Sequence, residues 1–525
     1  MGRGYSIVLT ASRAEMSQFG PEIGLPADAF EAFKCTFPRI PAGLYLEKFF
    51  APVAHADGRA RFAPYGLRKI EAALSEAEDD GGVVVCHPDH LESCVGDGTE
   101  ILGISTMDPL GLAYVSTTYN SLVGFGGESV NAYEFKRLLR KARRLKRGKT
   151  FKIVVGGEAV WQIDHSGKQA ELGIDHLVSG RSESDIPAVF ESIRRGAAPR
   201  VIRLKPSGRS GEAPAIRAPA IFGDVEITRG CGRGCAFCSP NLQKKHSVAL
   251  ETVLSEIDTN IRGGGDAAFI VTDDMFLYRS QRNFEPDRKA LAGLFEAVAA
   301  RPGLRHIHLS HASIAPVLVD PKLLPELAPI FVEKSSRTLR GKPYATVEIG
   351  IESGSPRIMS RHMPGKALPL DADGWPDIVC EGVAAFNANR IYPLATIIVG
   401  WPGEDENDAL RTAGLIERLH RQNAVLFYTP ILFIPLDRTP LGRSKRISLD
   451  GLTDTQLAVI ERCWELNVSI WGSEVPAPIL KIVGVGAKGI GMWRRLTGAR
   501  TAGISNRFAD FMLRTKFPCD PEACR

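Results

Sequence analysis

The chain has 525 residues, 44% hydrophobic and 24% charged, with a formal net charge of +5. That length suits two or three domains with ample cores, and the composition excludes a disordered or collagen-like protein. The charge is too small to argue for a nucleic-acid partner, none is expected, and no run of about 18 apolar residues argues for a membrane span.

The first 200 residues alternate short apolar runs with helical patterns. "GVVVCHP" (82–88) and "ILGISTMDPLG" (101–111) read as buried parallel strands that run into turns. "VNAYEFKRLLRKARRLKRG" (130–148) sets Tyr133, Leu138, Leu139, Ala142 and Leu145 along one helical stripe, opposite a basic, solvated face. "FKIVVGGEAVW" (151–161) is a strand entering a Gly-Gly turn, and residues 173–193 read as a short strand followed by a helix. This rhythm predicts a doubly wound α/β domain over residues 1–200. Ligands of such domains bind beyond the carboxyl ends of the strands, here Ser105 to Leu110, with Asp108 among them, and Gly156, Gly157 and Glu158. The Pro-, Gly- and Arg-rich stretch that follows predicts a linker at 201–224.

Beyond it, "VEITRGC" (225–231), "AAFIVTDDMFLY" (267–278), "LRHIHLSHASI" (304–314), "YATVEIGIESGS" (344–355), "YPLATIIVGWPGE" (392–404) and "AVLFYTPILFIPL" (424–436) predict six strands. Helical patterns such as "DRKALAGLFEAVAA" and "ENDALRTAGLIERLH" separate them. Six βα units predict a (β/α)6 partial barrel over 225–445 whose strand ends converge on one mouth. Residues 446–525 predict a small, mainly helical region.

The first barrel strand delivers "TRGCGRGCAFCSP" (228–240), in which Cys231, Cys235 and Cys238 stand at CxxxCxxC spacing. The other cysteines are scattered, which is not a secreted disulfide framework and predicts a cytoplasmic protein. A structural zinc site needs four ligands and a second pair downstream, but the nearest later cysteine is Cys380. Three thiolates without a fourth suit a 4Fe-4S cluster with one iron left open to a ligand.

That spacing, with Phe237 before the last cysteine, resembles the signature of radical S-adenosylmethionine enzymes. The resemblance implies that the open iron binds the amino and carboxylate groups of S-adenosylmethionine. One electron then cleaves the sulfonium bond, and the resulting 5′-deoxyadenosyl radical abstracts hydrogen from an unactivated carbon. It implies a flavodoxin- or ferredoxin-type electron donor. "VTDDMF" is similar to the family's second-strand motif at Asp273 and Asp274; "GIESGS" to its ribose-facing pair, Glu352 and Ser353; "IIVGWPGE" to its adenine-packing motif, through Ile398, Gly400 and Glu404. Acids at strand ends are also common helix caps, and that alternative stays open for Asp273 and Glu404.

A doubly wound domain ahead of such a barrel resembles the cobalamin-binding class of these enzymes. There the corrin lies between the two domains, which implies contacts at Ser105, Asp108, Gly156 and Gly157. The DxHxxG motif is absent, so cobalamin stays open as a third cofactor. "APYGLRKIEAAL", "DPLGLAYVSTTY", "VVGGEAVWQ" and "GIESGSPRIMSRHMPGK" also look like the archaeal tetraether lipid synthases and ring synthases. That resemblance implies C–C bond formation or cyclisation on a lipid-like substrate. The alternatives are a cobalamin-dependent radical methyltransferase acting on a lipid, peptide or natural product, and a non-catalytic iron–sulfur electron carrier.

Three further stretches bear on the site. His306 and His308 share a strand face, which suggests a metal pair or, more simply, packing inside the barrel. His362 and Lys366 in "SRHMPGK" read as loop residues, the lysine solvated. "SEVPAPILKIVGVGAKGIGMWRRLTG" (473–498) reads as a Gly-rich lid or as a peripheral membrane contact with Arg494 and Arg495 near lipid phosphates.

Overall fold

The computed structural model describes residues 4–18, 35–36, 38–39, 55, 57–77, 81–123, 128–181, 183–204, 213–280, 283–436 and 438–472, with a few isolated positions beyond. The first sheet takes β1 (Ile7–Thr10), β2 (Val83–Val85), β3 (Ile101–Ser105), β4 (Lys152–Gly156), β5 (His176–Ser179) and β6 (Val201–Arg203) in the order β2-β1-β3-β4-β5-β6. All pairings are parallel, Ile7 standing between Val83 and Ile101. Parallel strands are covered on both faces, and the side chains of β1 divide accordingly. Ile7 and Leu9 pack with Leu67, Leu74, Phe190 and Ile193 of helices α1 (Tyr65–Ala77) and α4 (Ile186–Arg194). Val8 packs on the other side with Phe135, Leu138 and Leu139 of α3 (Val130–Leu145), the helix whose stripe the sequence displays. Between β3 and α3 lies α2 (Tyr114–Val123).

Two expectations need correction. Val201–Arg203, assigned to the linker, forms the edge strand β6, its backbone paired with Leu177–Ser179. The strand β1, second in the sheet, has no counterpart in the sequence reading.

The second unit runs β7 (Asp224–Glu226), α5 (Leu250–Arg262), β8 (Ala267–Val271), α6 (Arg288–Ala299), β9 (His306–Leu309), α7 (Leu323–Glu333), β10 (Glu348–Glu352), α8 (Trp375–Ala388), β11 (Leu394–Val399), α9 (Glu406–Arg421) and β12 (Phe427–Leu432). Its strands form two parallel three-stranded sheets, β9-β8-β7 and β10-β11-β12. The sheets are stitched together where Glu348 N donates to Ser310 O at 2.6 Å and Ala312 N to Glu348 O at 2.9 Å. Val225, Ile270, Ile307, Ile349 and Ile397 point outward onto the helices in one continuous core. The result is the expected six-stranded partial barrel.

An open barrel has edges whose backbone groups need partners. On β12, Tyr428 N donates to Asn467 Oδ1 and Tyr428 O accepts from Asn467 Nδ2, both at 2.7 Å. Asn467 lies on α10 (Asp454–Trp471), so this described part of the C-terminal region is a wall of the barrel. Further along the same edge, Leu432 N donates to Thr118 Oγ1 of α2 at 2.9 Å. The N-terminal domain thus closes one end of the barrel's open side. Among the described residues no helix is long and apolar enough to cross a membrane. Nearly all of 473–498 lies outside the described residues.

Candidate active site

The cysteine loop leaves a two-residue strand, Thr228–Arg229, paired with His246–Ser247. Gly230 carries φ 75°, and a Cβ there would press within 2.7 Å of the Lys244 carbonyl oxygen, so only glycine lets the chain turn this tightly. Cys235 is buried, Cys231 and Cys238 half-buried, and all three are free thiols. Burial, then the nearby Asp274, pushes Cys231 up to about 12; burial likewise raises Cys235 and Cys238. Such thiols are inert until a metal takes the place of the proton.

Arg233, between the first two cysteines, organises the loop. Its buried guanidinium donates to Leu368 O at 2.7 Å, Gly365 O at 3.3 Å and Lys366 O at 3.4 Å, and pairs with Asp274 at 3.3 Å. Asp274 in turn accepts from Phe276 N, Ser313 N and the Ser313 hydroxyl. It is a buried clamp on the turn rather than a free ligand. Asp273 is half-buried and accepts from Gly230 N at 2.7 Å, so it holds the loop through its backbone.

Glu352 ends β10 at a register shift and takes the left-handed φ of 64°, a costly backbone for a non-glycine residue. Its carboxylate accepts from Lys366 Nζ at 3.0 Å and Thr396 Oγ1 at 3.1 Å. Any side chain at Gly350 would overlap that ion pair. Lys366 is therefore no solvated loop lysine: its ammonium also stands 6.0 Å from the Phe237 ring centre. Burial works against its charge, but Glu352 and the Cys235 sulfur outweigh burial and raise its pKa. Ser353 faces elsewhere, its fully buried hydroxyl shared by Thr412 Oγ1 and Ser355 N. That corrects the pairing of Glu352 with Ser353 as two mouth-facing groups. Trp401 stacks on His362 at 5.5 Å and meets Phe237 edge-on at 5.1 Å, so His362 is part of an aromatic wall behind the loop. Ile398 is buried on β11. Glu404 accepts from Gly400 N at 2.8 Å, Trp401 N at 3.2 Å and Gln456 Nε2 at 2.5 Å, and burial raises its pKa to about 7. Its role as a turn clamp is the simpler one. The rings of His306 and His308 lie 6.3 Å apart, one strand face carrying both.

Opposite stands the carboxyl edge of the first sheet. Asp108 accepts from Leu112 N, Ala113 N and Gln162 Nε2 and from the Ser116 hydroxyl, which fixes the start of α2. Ser105 pairs with Gly156, and a side chain at Gly157 (φ 112°) would overlap the Thr106 carbonyl. Met107 is 59% exposed and Tyr114 38%. Burial first, then Glu348, Cys238, Glu352 and Glu158, raises its pKa. Burial works against the charge of Arg181, but Glu158, Asp273 and Glu226 together raise its pKa. Tyr114 and Arg181 of the N-terminal domain are thus within electrostatic reach of Cys238 and of acids at the barrel mouth.

Glu15 is buried beneath this edge, where Met107 N, Asn131 Nδ2 and Thr106 Oγ1 all donate to Oε1. Burial lifts its pKa from 4.5 to about 7. The folded chain then binds this proton more tightly than the unfolded chain does. The associated stability is complete below about pH 4.5 and is lost as pH rises through about 7, on the order of 3 kcal/mol. Glu15→Gln keeps the acceptor and removes the titration, so its melting midpoint should fall less than the wild type's between about pH 5 and about pH 8. Parallel melting curves for the two proteins would contradict this.

Among the described residues no three His, Cys, Asp or Glu side chains close around a point as a single ion requires. A 4Fe-4S cube with one open iron takes three thiolates, the number of cysteines that this loop carries.

Residues 225–416 match the family model described as "Radical SAM superfamily". The cofactor set of that superfamily, a 4Fe-4S cluster and S-adenosylmethionine, is the set that the cysteine loop fits. Curated relatives include the tRNA-2-methylthio-N(6)-dimethylallyladenosine synthase of Chlorobium phaeovibrioides, 22% identical over 62% of this chain and 69% of that protein. The same-named protein of Geobacter metallireducens is 26% identical over 39% of this chain and 43% of its own length. The ribosomal protein uS12 methylthiotransferase RimO of Kineococcus radiotolerans is 27% identical over 45% and 42%. Matches to the last two thus span less than half of those proteins. Among solved structures, the radical S-adenosylmethionine methyltransferase TsrM of Kitasatospora setae, with cobalamin and a [4Fe-4S] cluster bound, superposes with a TM-score of 0.53. It is 14% identical over 83% of this chain and 77% of that one, a likeness of fold.

Proposed function

We propose that this chain is a radical S-adenosylmethionine enzyme of the cobalamin-dependent class that transfers a methyl group to carbon. The observation that carries the reading is the contact between the carboxyl edge of the first sheet and the strand that launches the three-thiol loop, where Arg229 donates to Glu183. When bound, the cluster would supply the electron that cleaves S-adenosylmethionine, drawn from a flavodoxin- or ferredoxin-type donor, and a corrin would supply a methyl carrier. The residues around the loop prepare the ground. Lys366 offers a desolvated ammonium to a carboxylate, Glu352 offers an acceptor to hydroxyls, and the Trp401–Phe237–His362 wall keeps water from the loop. Met107 and Tyr114 leave accessible apolar surface that a bound planar group would cover.

The tRNA and ribosomal-protein targets in the relatives' names make a macromolecular substrate one option, and a small molecule or lipid the other. C–C bond formation on a lipid-like chain is a second reading. It rests on the sequence motifs alone, since none of the relatives compared above is named for a lipid. Anaerobic enzyme incubated with hydroxocobalamin, a low-potential reductant such as titanium(III) citrate that brings the corrin to cob(I)alamin, and methyl-deuterated S-adenosylmethionine tests the first reading: corrin absorbance should remain with the protein through gel filtration, and the corrin should acquire the label. Protein that keeps a reducible cluster but retains no corrin would overturn the cobalamin assignment.

Glu352→Ala should raise the S-adenosylmethionine concentration needed for half-maximal cleavage by at least about tenfold, because it removes an acceptor and leaves Lys366 buried without its counterion. Unchanged half-saturation would remove Glu352 from the binding site.

A further inference from the structure

We infer that Glu183 of the N-terminal domain is a positioning residue for the cysteine loop, acting through Arg229; this rests on the function proposed above. Arg229 stands two residues before Cys231, on the strand that launches the loop. Its guanidinium is buried and forked between two carboxylates from different domains. Nη1 and Nη2 each donate to Glu183 at 2.8 Å, while Nε and Nη2 donate to Glu226 of β7 at 2.8 and 2.6 Å. Glu183 follows β5 on a short helical turn, at the same carboxyl edge that faces the barrel.

Two-sided bidentate geometry fixes a planar guanidinium in both position and tilt, which a point charge would not do. Burying three charges together costs much of what their attraction returns, so such a cluster is weak evidence for stability. Its effect is geometric. Gly230 N, the next backbone donor, is already bound to Asp273, so a shift of Arg229 is passed to Cys231 through a constrained turn. Docking of the N-terminal domain thereby sets where the first thiol stands relative to Glu352 and Lys366.

The test uses full-length protein, anaerobically reconstituted, with S-adenosylmethionine titrated against the electron paramagnetic resonance spectrum of the reduced cluster. Glu183→Gln should keep the wild-type iron content and require about tenfold more S-adenosylmethionine for the half-maximal spectral change. Arg229→Lys, which keeps the charge but cannot fork, should show the same rise. If Glu183→Gln fails to fold, Arg229→Lys decides alone. A purely structural clamp would lower the melting midpoint and leave half-saturation unchanged, and that result would overturn the inference. Wild-type protein without any S-adenosylmethionine-dependent spectral change would instead defeat the proposed function.

Discussion

Alanine at Cys231, Cys235 and Cys238 together should abolish the broad visible absorbance of the reconstituted protein and reduce iron from about four per chain to background. The expectation follows from the donor count: these are the three cysteines of one glycine-turned loop, and each needs a metal to become a thiolate where it sits. Cleavage of S-adenosylmethionine should vanish with the iron. The fold should persist, because Cys235 is one small member of the large barrel core that holds Val225, Ile270, Ile307, Ile349 and Ile397, and Cys238 only packs against its margin. Thermal melting should therefore remain cooperative. A triple variant that still carries about four irons would place the cluster elsewhere.

Replacing Arg233 by alanine should be the most damaging single change at the mouth. It leaves Asp274 buried without its cation and three carbonyls, those of Gly365, Lys366 and Leu368, without their shared donor. Stranding a buried charge costs about 3 kcal/mol or more. The loss also separates two segments 132 residues apart in the chain, the cysteine loop and the turn that carries Lys366. Denaturant unfolding should show the stability loss, and iron uptake should fall with it. Arg233→Lys should recover little, since an ammonium cannot reach a carboxylate and three carbonyls from one plane. Wild-type stability in Arg233→Ala would show that the loop is held without Arg233, by contacts such as those of Gly230 N with Asp273 and Ala236 N with His362 O.

Much of this architecture is legible in the sequence because its parallel strands are either apolar runs or, as in HIHL and EIGIE of the barrel, alternate apolar with polar residues, and ten of the twelve principal strands stand out in one of these ways. The two that escape have physical reasons. β1 is only four residues long, too short for a periodicity to show. β6 is three half-exposed residues inside a Pro- and Arg-rich segment. The cysteine triad is legible because its spacing is local. The groups that hold it are not. Arg233 reads as one more loop arginine and Lys366 as a solvated lysine until the fold closes the distance between them. Conversely, Asp274, Ser353 and Glu404 look like ligands by position, but the structure shows hydroxyl, amide and guanidinium partners occupying them. Spacing predicts which side chains reach a strand end, and only the contacts show which are already spoken for.

The most direct measurement is the fate of S-adenosylmethionine on the wild-type protein, anaerobically reconstituted with iron and sulfide, reduced with dithionite and followed by chromatography with mass detection. Reductive cleavage should release 5′-deoxyadenosine and methionine, dependent on both cluster and reductant and absent from the triple cysteine variant. Protein with a full, reducible cluster that leaves S-adenosylmethionine intact would contradict the account and make the chain an iron–sulfur electron carrier.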